Sequence, residues 1–196
     1  MVNLFKTRKF AIILTVAVAV IATLLGVRAT ANRYTREIEA MFFSGVYLND
    51  DGYTQPSIDS HLGNCVNAAL GLATIMENYP ELKEESQALI LAQRNLTSAK
   101  NVRDKSSANR VMRDSFLTLI DKAGSVDLTD RDINAAALHY TTFKGALNAI
   151  LNSAYNDKVT DYYDGQSAIM RILVPFTFAS QPASFITSPF PEKTFP

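Results

Sequence analysis

Residues 10–27, "FAIILTVAVAVIATLLGV", carry no charge and are interrupted only by two threonines and one glycine. As a helix such a run is about 27 Å long, close to the hydrocarbon thickness of a bilayer. It restricts the chain to a protein tethered by its N-terminus or one exported behind a signal. Lys6, Arg8 and Lys9 ahead of the run and "ATA" at 29–31 fit a cleaved secretory signal. A transmembrane anchor is the preferred expectation, because the run exceeds a usual signal core and "RYTREIEAMFF" continues helically beyond it. Arg28, Arg33 and Arg36 come after the span, so the positive-inside rule is balanced. The free α-amino group tips the orientation to N-inside. A single-pass protein of the cell membrane is expected, with its domain outside the cytoplasm.

The remainder of the chain is ordinary in size and charge. Three of the nineteen basic residues precede the apolar run, leaving sixteen against nineteen acidic ones, a net charge of −3. A mildly acidic domain is a poor match to nucleic acid, whose binders present a basic stripe. Cys65 is the one cysteine, so no intrachain disulfide forms, and His61 and His139 are far apart in sequence. No metal-ligand spacing and no cofactor motif is present.

Beyond the span, Tyr34, Ile38 and Met41 or Phe42 extend an apolar stripe to about Phe43, so the first helix is expected to leave the membrane unbroken. It ends at "SGVYLNDDGYTQP", rich in turn formers, where Asn49, Asp51 and Gly52 read as an Asx-type turn rather than a calcium loop, which would need regular ligand spacing and a closing Glu. A second helix starts at Ser57, an N-cap after Pro56. Ile58, Leu62, Cys65, Ala69, Leu72, Met76 and Tyr79 alternate spacings of four and three, a bundle seam that makes Cys65 a buried thiol. Pro80 suits the first turn of a third helix, with Glu81, Glu84 and Glu85 complementing its dipole. This helix is expected to run to about Lys122, with Leu82, Leu89, Ala92, Leu96, Ala99 and Val102 on its apolar face, resuming at Phe116, Leu117 and Ile120. Between them "KNVRDKSSANRVMRD" is either a solvated projection or a functional polar patch. Thr129 and Asp132 open a fourth helix with a capping pattern, and Ile133, Ala136, Tyr140, Phe143, Leu147, Ile150 and Ala154 form its seam. Tyr155, Val159 and Tyr162 continue on a stripe rotated by one residue, as where a helix bends or changes partner.

Residues 175–196 hold five prolines and five phenylalanines, which exclude a regular helix and leave an extended aromatic strip. Either the strip lies in a groove of its own bundle, or Phe176, Phe178, Phe185 and Phe190 meet a partner or the membrane interface. Partial docking is favoured, with Phe176, Phe178 and Phe185 inside and residues after Ser188 loose.

Two stretches resemble the LemA family of bacterial membrane-anchored helical proteins. One is "LATIMENYPELKEESQALILAQRNL" at 72–96, with its Tyr79-Pro80 junction between two helices. The other is "YNDKVTDYYDGQSAIMRILVPF" at 155–176, similar to a Y-N-x-x-V-x-x-Y-N motif through Tyr155, Asn156, Val159 and Tyr162, followed by an aromatic, proline-containing tail. The motif's second Asn is Tyr163 here, as in a distant member. The resemblance implies a helical bundle on one membrane anchor, without established enzymatic chemistry, and supplies no ligand.

The expected architecture is all-α: a short basic N-terminus (1–9), an anchor (10–27), an antiparallel up-down bundle of long helices (28–174) and the tail (175–196). The expected function is non-catalytic, through contact with a protein partner. Self-association is compatible with the seams, as is a monomeric bundle. The alternative is an extracytoplasmic ligand sensor or an accessory subunit of a membrane complex. Enzyme signatures fail on spacing: no Glu lies three residues before either histidine, and His-Glu-x-x-His and Gly-x-Ser-x-Gly do not occur.

Overall fold

The computed structural model describes residues 8–48 and 52–191. The order is α1 (Arg8–Ser44), β1 (Val46–Leu48), β2 (Tyr53–Gln55), α2 (Ile58–Met76), a 3-10 turn (Pro80–Leu82), α3 (Lys83–Ser98), α4 (Val102–Ala123), α5 (Asp130–Leu151), α6 (Tyr155–Asp164) and α7 (Ala168–Thr177). The fold is all-α apart from one small hairpin. The chain forms two compact units, one from the described part of Met1–Ile38 with Lys158–Pro182, the other from Glu39–Asp157 with the described part of Ala183–Pro196.

In the larger unit the core begins with α2. Ser57 caps it as expected, its hydroxyl accepting from the Ser60 N–H at 3.0 Å. The seam residues Ile58, Leu62, Cys65, Ala69, Leu72 and Met76 are all buried; each large one contributes roughly 1.5–3 kcal/mol by leaving water. Helix α2 packs against α5 on one side and α3 on the other, and α3 packs against α4. Short connections between successive helices make neighbours antiparallel. Phe116 of α4 stacks on Phe143 of α5, with centroids 4.1 Å apart.

The third helix differs from expectation: it is two helices, α3 and α4, folded back on each other. Ala99 and Asn101 are extended, and the Asn101 side chain accepts from the Asp104 N–H at 2.9 Å and donates to the Asp104 carboxylate at 2.6 Å. A satisfied N-cap at Asn101 thus starts a new helix inside the charged stretch. Across the pair, Lys122 meets Glu85 at 2.6 Å. Likewise α5 stops at Leu151, and α6 restarts at Tyr155, which is the bend that the rotated stripe implies.

A further difference is local. After α1 the chain makes an antiparallel hairpin, pairing Val46 with Gln55, Tyr47 with Thr54 and Leu48 with Tyr53. Gly45, at φ 95°, permits the turn into it, since a Cβ there would collide with the Gln55 carbonyl. The Gln55 carboxamide then holds the α5–α6 connection, donating to Asn152 O at 3.0 Å and accepting from Ala154 N at 2.8 Å. The Asn49 and Asp51 turn lies outside the described residues.

The smaller unit is organised along α1, whose most apolar 18-residue window is not buried by protein at all and is long enough to cross a membrane. Beyond that window the inward face is Ala31, Thr35 and Ile38, and Tyr34 is 45% exposed, which corrects the stripe expected through Tyr34. Thr35 can turn inward because its hydroxyl donates to Ser180 O at 2.8 Å, while Asn32 accepts from Ser180 N at 2.8 Å. Helix α7 is also unexpected, because it runs through Pro175 to Thr177. The helix ends two residues after the proline, so the i→i−4 bond that the proline lacks falls near its C-terminus, and Ser167 caps the start by accepting from Met170 N.

Candidate functional site

The larger unit builds a groove around an extended segment of its own chain. Phe185 enters one aromatic cluster, with its centroid 5.5 Å from Phe42, which itself lies 5.5 Å from Tyr155. Phe190 enters a second, 5.3 Å from Phe143, 5.5 Å from Tyr140 and 6.0 Å from Phe116. Both rings are buried, and the spacing of five residues spans the two clusters.

Between these anchors the main chain is held by side chains. Asn156 Nδ2 donates to Phe185 O and its Oδ1 accepts from Phe185 N, both at 2.9 Å. That reciprocal pair does for one residue what a neighbouring strand would do. Tyr155 donates to Ala183 O at 2.8 Å. Ser106 both donates to and accepts from the main chain of Ile186, each at 3.3 Å. Arg113 donates to the Ser188 carbonyl at 3.4 Å and to its hydroxyl, and Tyr140 donates to Pro191 O. A main chain held this way can stay extended in a partly buried groove, where unpaired peptide groups would be costly.

These contacts decide the fate of the expected partner residues. Phe185 docks as expected. Phe190 also docks, although residues beyond Ser188 were expected to be loose, because an aromatic slot and the Tyr140 hydroxyl receive it. Phe176 and Phe178 were expected inside and are instead 70% and 87% exposed. As part of α7 and its cap, with Phe178 left-handed at φ 52°, they face away from the buried Val174 and Thr177.

The motif residues divide between the two units. In the larger one, Tyr155 and Asn156 hold the tail. In the smaller one, Val159 is buried, and Tyr163, which stands where the family motif has Asn, donates to Pro182 O at 2.9 Å. Tyr162 has a different environment. It lines a cleft of about 500 Å³ with Tyr34, Ile38, Gln166, Ser167 and Met170, and the buried Tyr162 hydroxyl and Gln166 Nε2 have no hydrogen-bond partner among the described residues.

Tyr79 and Pro80 mark the junction between α2 and α3, where Pro80 opens the 3-10 turn. The Tyr79 hydroxyl donates to Asp132 Oδ2 at 2.6 Å and accepts from Thr129 N at 3.2 Å, tying this junction to the start of α5. Thr129 caps α5 through Asp132 N at 3.3 Å. The Tyr79 and Thr129 hydroxyls hold the Asp132 carboxyl below its ordinary range. At Glu85 the hydrogen bond from Lys122 acts in the same direction.

The remaining reactive groups lie in the core or at its edge. Burial pushes the Cys65 thiol up to about 12, opposite to an activated thiolate, and its sulfur faces Phe143 O at 3.9 Å. His61 and His139 are each half-buried, which lowers their pKa by desolvation, and the His139 ring lies against Gly71, where a Cβ would collide with it. Among the described residues no three His, Cys, Asp or Glu side chains converge as a metal-ligand set.

Of the groove residues, Ser106 and Arg113 were hidden in the charged stretch at 100–114, where the polar patch was one of two expectations. No periodicity could single them out, because their function is to hold a main chain remote in sequence. Comparison with family models, curated proteins and solved structures found no match.

Proposed function

We propose that this chain is a non-catalytic, membrane-anchored helical bundle of the LemA type that acts through protein contacts. The observation that carries the proposal is the groove: its polar side chains are spent on the main chain of an extended aromatic segment, which is how proteins hold peptides. The 37-residue α1 supports the anchor, since its apolar window has no protein cover. In this reading the bundle lies outside the cytoplasm, with three basic residues flanking the span on each side.

A photo-crosslinking residue placed at Leu91, Val111 or Leu138, exposed apolar side chains on α3, α4 and α5, tests the contact role in native membranes. A discrete adduct of constant mass at one position supports it. Uncrosslinked chain at every position, or robust turnover by the purified protein, overturns it. Protease digestion of a C-terminal epitope in spheroplasts tests the orientation, and survival of the epitope until lysis would reverse it.

One observation favours the sensor reading, namely the cleft that holds the unpartnered Tyr162 hydroxyl and Gln166 amide. A ligand binding there would raise the melting temperature of the full chain, because it would bind only the folded state. That shift would vanish in Tyr162→Phe.

A further inference from the structure

Helix α7 presents an apolar face that none of the described residues covers. Ile169, Ile172 and Phe176 are 68%, 63% and 70% exposed. At 3.6 residues per turn they lie within about a sixth of the helix circumference. Phe178, just past the helix, is also exposed. The opposite side carries the buried Val174, and the one charge, Arg171, is turned away to the carbonyls of Tyr163 and Asp164 at 3.2 and 3.1 Å. A face of this kind in water would be an isolated patch of large apolar side chains, which monomeric soluble proteins seldom expose.

The position of α7 identifies what covers it. Ser180, two residues beyond Phe178, is fixed to α1 through Asn32 and Thr35. Those residues lie five and eight positions past Val27, the end of the apolar run, or about 7.5 and 12 Å along the helix axis. The headgroup layer on each side of the hydrocarbon is about 5–8 Å thick. Ser180 is therefore held near the outer edge of the headgroup layer, and a two-residue link lets Phe178 reach up to about 7 Å from it, back into that layer. Amphipathic helices at this depth bury their apolar face about 5–10 Å into the boundary between headgroups and acyl chains.

We infer that α7 lies on the bilayer beside the anchor, with Ile169, Ile172, Phe176 and Phe178 inserted among lipids at the interface. This rests on the anchor proposed above and adds to it a second, non-spanning membrane contact in the same unit of the fold. The contact fixes the rotation of that unit about α1, because the apolar face of α7 can meet lipid from one side only.

The test uses the full chain in vesicles of phosphatidylethanolamine and phosphatidylglycerol. Nitroxide labels are introduced one at a time at Ile169→Cys, Ile172→Cys and Phe176→Cys, with Val18→Cys as the anchor control and Leu138→Cys as the aqueous control. The buried native Cys65 stays unlabelled. Collision rates with oxygen, which concentrates in lipid, are compared with those of a water-soluble nickel chelate. The expected result is a lipid-like ratio at Val18 and at the three α7 positions, and an aqueous ratio at Leu138. A lipid-like ratio at Val18 with aqueous ratios on α7 overturns the interfacial contact and leaves the anchor standing. Aqueous ratios at Val18 and α7 together overturn both. Shielding of α7 from both reagents overturns the lipid contact in favour of a protein cover such as a second copy of the chain.

Discussion

Residues 168–178 and 183–191 are neighbours in one aromatic, proline-bearing C-terminal stretch, yet one segment exposes its phenylalanines and the other buries them. The difference lies in where the main-chain hydrogen bonds go. In 183–191 the backbone is extended and depends on Tyr155, Asn156, Ser106, Arg113 and Tyr140, so its rings are drawn into the bundle together with their peptide groups. In 168–177 the helix satisfies its own backbone, and nothing requires the outward rings to meet protein. Aromatic content alone therefore does not tell which segment docks.

Substitutions should separate the two segments widely. Phe190→Ala or Phe185→Ala removes a ring from a filled aromatic cluster, and about 3–5 kcal/mol of stability should be lost, read as a lower denaturation midpoint. Asn156→Ala keeps both rings but strands the N–H and C=O of Phe185, with an expected loss of about 1–3 kcal/mol. If Asn156→Ala costs nothing, side-chain capture of the backbone is not what docks the tail. Tyr79→Phe, remote from both segments, should cost about 1 kcal/mol through the lost hydrogen bonds to Asp132 and Thr129. Phe176→Ser should change stability in detergent by less than about 0.5 kcal/mol, as at other uncovered positions. A loss there as large as at Phe190 would erase the comparison.

Acid should weaken the bundle in two stages. Burial lowers the pKa of His61 and His139 in the fold, so the unfolded chain binds more protons once the pH falls below the ordinary imidazole value of about 6.5. Their contribution is present above that pH and declines below it. Glu85 and Asp132 are also held low, so their contribution is present above the ordinary carboxylate range and is lost as pH falls through their folded values. The melting temperature should therefore fall slightly from pH 7 to 5.5 and further below pH 4.5. The paired substitution His61→Gln and His139→Gln should flatten only the upper limb.

The elements specified by local chemistry were legible in the sequence: the apolar run of α1, the Ser57 cap with its unbroken seam, and the Thr129 cap of α5. The break at 99–101 was also written locally, as Asn101 three residues ahead of Asp104, but the surrounding charge obscured that cap. Thr35 taking the inward place of Tyr34 was not legible. Apolar periodicity does not register a hydroxyl that is satisfied by Ser180, 145 residues away. The tail groove was only half legible for the same reason. The phenylalanines were visible as candidates, whereas the partners that sort Phe190 from Phe176 come from α4, α5 and α6.

Anchorage underlies both the proposed function and the lipid contact of α7, and it is tested most directly by washing membranes from cells that make the chain, epitope-tagged at its C-terminus, with alkaline carbonate. Full-length chain that stays in the pellet and is released only by detergent is the expected result. A shorter product in the supernatant, cleaved near residue 31, would identify the apolar run as an export signal and contradict the account.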